Sequence, residues 1–478
     1  MKILFVASEA APYSSSGGLG DVIGSLPKEL VKLGENLSIT VITPLYRSTR
    51  EKFSKELSEY KTIDFNLSWR KTGAKYYKLT QGGVSYVFVE NNYYFDRDRL
   101  YGEYDDGERF AFFSMSAIEF LRSESETNDI LHAHDWQTAL SIVYLKRLYQ
   151  HDEKLKDLKT VFTIHNIEYQ GKFGLDILGD VFGLNDNVRN DIEFDGCINL
   201  MKSGIMLADY VTTVSPSYAD ELKYDFYSFG LSEIIKANEE KLYGIINGID
   251  YDIYSPQNDE SLYKKYSLRN FRSGKTENKI CLQRDIGLDV NAEIPLLIMI
   301  TRLTKQKGID LFLHIAREVL SEDVQFVILG SGDYEYEKEI KILEYQDRRF
   351  KAIIGFNREL SHKIYAAGDI FLMPSKQEPC GLSQLIACSY GSVPIVRNVG
   401  GLKDTIIPYG CNNSNGFKFD NYNAHDFLSE IKKALDLYRN NKKEWNEILK
   451  RSMKAKFSWT DSAKEYLVIY KKDEKTNE

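Results

Sequence analysis

Almost from end to end the sequence alternates short β-rich apolar runs with segments of helical period, and this alternation limits the fold more than any other feature. Several runs, KILFVA, KTVFTIH, PLLIMIT and VQFVILG among them, are apolar nearly throughout. A strand with one face in water would alternate apolar and polar residues. Continuous apolar strands belong to parallel sheets covered by helices on both faces. Strand–helix alternation of this kind predicts a doubly wound α/β fold. At 478 residues the chain exceeds one ordinary core. The strand pattern stops around NGIDYDIYSPQNDESLYKKYS and restarts at PLLIMIT, which predicts two Rossmann-like domains, 1–253 and 254–455, facing each other across a cleft. In such sheets ligands bind beyond the carboxyl ends of the strands.

Composition narrows the partners. The net charge of −8 and pI near 5.6 argue against a general nucleic-acid binder, which would present a basic face. The five cysteines form no CxxC pair and are odd in number, so neither a disulfide framework nor a zinc site is indicated, and a reducing cytoplasm fits. MKILFVASEA is too short in apolar residues for a signal-peptide core. No stretch approaches the roughly 20 apolar residues of a membrane span. The expectation is a cytoplasmic protein with no membrane partner. The tail KKDEKTNE reads as charged and frayed.

Four sets of residues draw attention. The first is SEAAPYSSSGGLGDVIGSL, between the first strand and a helix whose apolar face is Val22, Ile23, Leu26, Leu30 and Leu33. Gly17 and Gly18 let backbone N–H groups approach a phosphate at the helix N-terminus, or else serve a tight turn that needs glycine. Asp21 lies near the helix start, where the dipole favours an anion. Pro27 is too deep for a first-turn proline and predicts a kink or a short first turn, and Gly34 a stop. The second set is RLTKQKGIDLF after PLLIMIT. Arg302, Lys305 and Lys307 crowd a helix start, where cations oppose the dipole unless an anionic ligand, such as a diphosphate, justifies them.

The third set is MPSKQEPCGLSQLIACSYGSVPIVRNVGGLKDT. Glu378 is placed to accept hydrogen bonds from ribose or sugar hydroxyls, or to act as a cap or a salt-bridge partner. The pair Gly400–Gly401 repeats the tactic of Gly17–Gly18. Phe356, after AIIG, reads equally as a base-stacking platform or a core aromatic. The fourth set is histidine-rich. ILHAHDWQTA puts His132 and His134 on one side of a strand with Asp135 adjacent. An H-x-H pair invites a metal-hydrolase reading. Such a site needs more ligands, and only His165 in FTIHNIEYQG lies at another strand end; His151, His314, His362 and His425 fall in helical or polar stretches. Sugar-hydroxyl recognition by Asp135 and His165 fits better.

Taken together, these residues resemble the bacterial glycogen synthase and plant starch synthase family, retaining glucosyltransferases of the GT-B fold. The resemblance covers nearly the whole chain. It runs through GGLGDVIGSLPKEL, YYFDRDRLYG, DGERFAFFS, HAHDWQTAL, TIHNIEYQG, NGID, TRLTKQKGIDL, EPCGLSQL and VGGLKDT. FSWTDSAKEYLVIY resembles the family's last helix, which implies that 456–478 crosses back to the first domain. What the resemblance implies is transfer of glucose from ADP-glucose to the non-reducing end of an α-1,4-glucan (glycogen, starch or maltooligosaccharides), with retention and without a metal or other cofactor. Arg302 and Lys307 would hold the diphosphate, and the Gly17–Gly18 amides its distal phosphate. Phe356 would lie against the adenine. Glu378 would sit beside the sugar and ribose, with Cys380, Gly381, Leu382 and Ser383 along the same wall. Asp135, His165 and Asn247 would contact the glucosyl unit, with Asp21 and Tyr94 near its hydroxyls or the acceptor.

One departure stands out. The family's opening loop reads Lys-x-Gly-Gly-Leu, and here Ser15 takes the lysine's place. Two alternatives follow within the resemblance: a catalytically weakened homologue that binds glucan or nucleotide sugar, and a related GT-B transferase that uses UDP-glucose.

Overall fold

The computed structural model describes residues 1–34 and 36–472. Most of the charged tail, 473–478, lies outside them. The chain divides into two compact units, Met1–Ile246 with Trp459–Glu478, and Asn247–Ser458.

The first unit contains, in chain order, β1 (Lys2–Val6), β2 (Ser38–Pro44), β3 (Ser58–Leu67), β4 (Arg70–Gln81), β5 (Val84–Glu90), β6 (Ile130–His134), β7 (Lys159–Ile164), β8 (Lys172–Phe173), β9 (Glu193–Phe194), β10 (Cys197–Asn199), β11 (Tyr210–Thr213) and β12 (Leu242–Gly244). Nine of these form one sheet, ordered β12-β11-β7-β6-β1-β2-β5-β4-β3, while β8, β10 and β9 form a small separate one. Pairing is parallel from β12 to β5 and antiparallel at β5–β4 and β4–β3. The apolar runs became the parallel strands: β6 and β11 are buried at every residue. The edge hairpin β3–β4 differs. Lysine, tyrosine and threonine are its commonest residues, and most of β3 is exposed or half-buried, so no apolar run marks it.

The second unit holds β13 (Leu296–Ile300), β14 (Gln325–Gly330), β15 (Phe350–Ile354), β16 (Ile370–Met373), β17 (Val393–Arg397) and β18 (Phe417–Phe419), all parallel in the order β15-β14-β13-β16-β17-β18. Strand order reverses between β1 and β6 in the first sheet and between β13 and β16 in the second. In doubly wound sheets the ligand crevice opens at the carboxyl ends of such a strand pair.

Two local expectations need correction. The short first turn does not form, since the helix Gly18–Leu33 runs unbroken through Pro27. A proline inside a helix costs about 3 kcal/mol. Burial of Val22, Ile23, Leu26 and Leu30 contributes roughly 6–12 kcal/mol, enough to hold the helix through it. The boundary between units also falls earlier than residue 253. NGID already belongs to the second unit, because the Asn247 backbone bonds to the Cys380 thiol and Ile249 N–H donates to Phe457 C=O at 2.8 Å. The return to the first unit comes at Trp459, just after 455. The terminal helix Trp459–Lys471 then joins the first core, with Trp459, Tyr466 and Tyr470 buried in the same cluster as Phe5, Val22 and Leu26.

Candidate active site

In the first unit the chain leaves β1 into the glycine loop, leaves β6 at Asp135 and leaves β7 at His165. These strands are adjacent, so the three corners meet at one end of the sheet. Ser15, Ser16, Gly17 and Gly18 are exposed. Gly17 has an extended backbone (φ −173°) that any residue adopts, and a β-carbon on Gly17 or Gly18 would meet nothing within 4 Å. Neither turn geometry nor packing therefore demands glycine here. The loop is instead tied down at Ser16, whose N–H and hydroxyl donate to the Glu9 carboxylate at 2.5 and 2.6 Å. Tyr101 donates to the same carboxylate at 2.7 Å. The Ser15 hydroxyl turns back to the Gly17 carbonyl at 3.3 Å. Asp21 lies half-buried in the first turn of the following helix.

Asp135 has φ 58° and ψ 178°, a region nearly reserved for glycine and strained by about 1–3 kcal/mol. Its N–H donates to Thr163 C=O at 2.9 Å, and its carboxylate accepts the His165 N–H at 2.7 Å. Burial pushes the Asp135 carboxyl up to about 7. The hydrogen bonds from His165 and Asn166 oppose this shift, and the Glu9 charge adds to it. Burial lowers His165 to about 3 and holds His132 and His134 well below the usual imidazole range. All three are neutral near pH 7. His132 and His134 share one face as expected, with ring centroids 4.1 Å apart. Both His132 nitrogens are engaged, Nδ1 by the Tyr470 hydroxyl and Nε2 by that of Thr163. Among the described residues no group of three or more His, Cys, Asp or Glu is arranged to hold a metal ion.

In the second unit the residues after β13 meet those after β16. Lys307 Nζ lies 2.6 Å from Glu378 Oε2, a pair whose side chains are 15% and 7% exposed. Ser375 donates to the same oxygen at 2.9 Å. Gly308, next to Lys307, has φ +75°, and a β-carbon there would stand 2.2 Å from Pro374 C=O. Glycine at this one position lets the lysine turn press against the Glu378 loop. Arg302 stands exposed at the end of β13, 3.3 Å from Gln306 Oε1. Cys380 is buried, and burial pushes its thiol up to about 12, so it is no thiolate nucleophile. Gly381 and Leu382 lead into the helix Ser383–Tyr390, whose first hydroxyl meets Tyr365. Asn247 is buried, and its Oδ1 has no partner among the described residues. Phe356 is 78% exposed at the end of β15, which removes the core-aromatic reading.

The structure thus groups Gly17, Gly18, Asp135 and His165 in the first unit, and Arg302, Lys307, Glu378 and Cys380–Ser383 in the second. Tyr94 is placed differently. It is buried against Phe112, and its hydroxyl donates to Glu108 at 2.7 Å, so it braces the aromatic core. Gly400–Gly401 does not repeat the first pair, because a β-carbon on Gly401 would stand 2.3 Å from Cys380 C=O. Glu9 and Ser375 were missed. Glu9 left one signal, a carboxylate just beyond the apolar run of β1.

Residues 2–237 match the starch synthase catalytic domain family, and 287–451 the group 1 glycosyl transferases. The chain is 43% identical to a glycogen synthase of Bacillus cereus (strain B4264), covering 98% of this chain and 99% of the relative. It is 44% identical, with the same coverage, to a glycogen synthase of Alkaliphilus metalliredigens. The catalytic domain of starch synthase IV from Arabidopsis thaliana, bound to ADP and acarbose, superposes with a TM-score of 0.90 at 33% identity over 98% of both chains. A sucrose-phosphate synthase from Thermosynechococcus elongatus, at 16% identity and a TM-score of 0.61 over 98% of both chains, shares the fold.

Proposed function

The chain belongs to the glycogen and starch synthase family of GT-B glycosyltransferases, and from that premise we propose that it transfers glucose from ADP-glucose to the non-reducing end of an α-1,4-glucan with retention of configuration. The observation that carries the reading is the second unit's switch point, where Lys307 pairs with the buried Glu378 at the ends of β13 and β16 and Arg302 stands exposed just after β13. The ADP held by the starch synthase IV relative supports an adenine nucleotide as the donor's carrier.

In this reading the bond between C1 of glucose and the distal phosphate oxygen breaks first. Charge builds on the departing diphosphate, and Arg302 and Lys307 offset it. Preorganised groups of this kind contribute roughly 3–4 kcal/mol each to a transition state. Glu378 holds Lys307 in place and faces the ribose and sugar hydroxyls. The acceptor's 4-hydroxyl oxygen bonds to C1 on the face the nucleotide leaves, and its proton passes to the departing phosphate. Asp135, its carboxyl pushed up to about 7 by burial, bonds to sugar hydroxyls. Asn247 Oδ1, buried without a partner among the described residues, would accept from another. The Gly17–Gly18 amides bind the distal phosphate, and Phe356 stacks on the base. No metal or cofactor is assigned a step, since the two cations carry the charge. The expected acceptors are glycogen, starch or maltooligosaccharides, and the expected compartment is the cytoplasm; no described helix is long and apolar enough to cross a membrane.

Ser15, where the family's loop carries lysine, favours a second reading: a weakened homologue that binds these ligands, or a transferase with another donor. Nucleotide release from ADP-glucose and UDP-glucose, with glycogen and with or without chelator, separates them. Acceptor-dependent ADP release that ignores chelator and rises about tenfold in Ser15→Lys supports the synthase. Preference for UDP-glucose, or silence with both donors alongside measurable glucan binding, supports the second reading.

A further inference from the structure

His165 Nε2 lies 3.0 Å from His134 Nδ1. Burial keeps both imidazoles neutral, so each carries one proton on one of its two nitrogens. Their contact therefore holds a single hydrogen. Which ring owns it follows from the far side of His134, whose Nε2 is buried and has no partner among the described residues. A proton on that nitrogen would be a buried donor with nothing to bond, and a bare lone pair is the smaller loss. His134 thus carries its proton on Nδ1 and donates to His165 Nε2. The proton of His165 is left on Nδ1, a nitrogen with no protein partner among the described residues.

We propose that His134 is a positioning residue: by donating to His165 Nε2 it fixes His165 as the Nδ1–H tautomer and makes it an obligatory hydrogen-bond donor to an oxygen of the bound sugar. The inference rests on the assignment of His165 to the transferred glucosyl unit. Aromatic neighbours hold the His134 ring in register. Phe5 stacks on it at 5.7 Å and 12°, and His132 lies 4.1 Å away. His132 is itself fixed by Tyr470 at 2.8 Å and Thr163 at 2.6 Å. With Nδ1 protonated, His165 is no base toward the sugar. It offers a fixed dipole whose hydrogen bond strengthens as charge develops on the substrate.

The test reads tautomers directly. In the full chain carrying isotope-labelled histidine, long-range proton–nitrogen correlation spectra should show His165 protonated on Nδ1 and bare on Nε2. His134→Asn keeps an N–H donor where Nδ1 stood, and should hold both that spectrum and kcat within about threefold. His134→Leu removes the donor. It should mix the His165 tautomers and lower kcat by about tenfold, with a smaller change in the donor's KM. A His165 proton on Nε2 in the wild type overturns the proposal, as does equal kcat in the Asn and Leu variants. Should the Leu variant not fold, the wild-type spectrum still decides. A wild type that transfers no sugar from any nucleotide donor would sink the proposed function instead, leaving the tautomer to be read on its own.

Discussion

At Gly17 and Gly18 a β-carbon would stand in open space, whereas at Gly401 it would stand 2.3 Å from the Cys380 carbonyl oxygen and 2.4 Å from its Cα. In sequence the two pairs are alike: both lie between a strand and a helix of a doubly wound sheet. In the structure the second pair lets one loop lie on another, with Gly401 N–H donating to Glu378 C=O at 3.1 Å. The first pair leaves its β-carbon side open among the described residues, and its loop is held one residue earlier, through Ser16 and Glu9. Glycine conserves space in both cases. At the second corner the protein itself fills that space, and at the first it is left for something else.

Substitutions that add one carbon test this contrast. Gly401→Ala should lower stability at every pH, by about 3 kcal/mol from backbone overlap, seen as a fall in Tm. A Gly401→Ala chain as stable as wild type would break the comparison at its packed end. Gly18→Ala should leave Tm unchanged or slightly raised, because alanine favours the helix, while kcat/KM for the nucleotide sugar falls about tenfold. Unchanged kinetics there would mean the open corner holds only solvent.

A third effect, confined to one range of pH, concerns Asp135, at the end of the strand beside β1. Its folded-state carboxyl sits near 7, far above the ordinary carboxylate value. Between about pH 4 and 7 the folded chain therefore keeps a proton that the unfolded chain has released, and this group makes stability fall as pH rises through that window. Asp135→Asn removes the slope. Its Tm should exceed that of wild type by on the order of 4 °C near pH 8 and converge with it near pH 4, while transfer falls. A constant gap across that range would show that burial is not what burdens this corner.

The fold was legible where physics wrote it locally. β1, β6, β7, β13 and β14 are covered on both faces, so their apolar runs are continuous and the parallel sheet can be read from them. The hairpin β3–β4 is half in solvent at the sheet edge, and tyrosine and lysine there mimic loop composition. The candidate site's residues were legible as strand-end positions: Asp135, His165, Arg302, Lys307 and Glu378 each follow a strand. What depends on meeting across the chain was not legible. Nothing in the spacing of His134 and His165 reveals their 3.0 Å contact, nor does HAHDW reveal that Tyr470, far along the chain, caps His132. Tyr94 and Gly401 show the converse, residues of familiar pattern whose surroundings give them a packing role.

The terminal helix also sets an order of events. A ribosome releases Trp459, Tyr466 and Tyr470 only after the whole of Asn247–Ser458, yet these aromatics complete the core begun by Phe5, Val22 and Leu26. Domains generally fold as units as they emerge during synthesis. The second unit thus has all its residues while the first still lacks its closing helix and the hydroxyl that fixes His132. A chain cut short in its last few turns would carry every residue assigned to the sugar and the diphosphate, and still lack the back wall of its histidine stack.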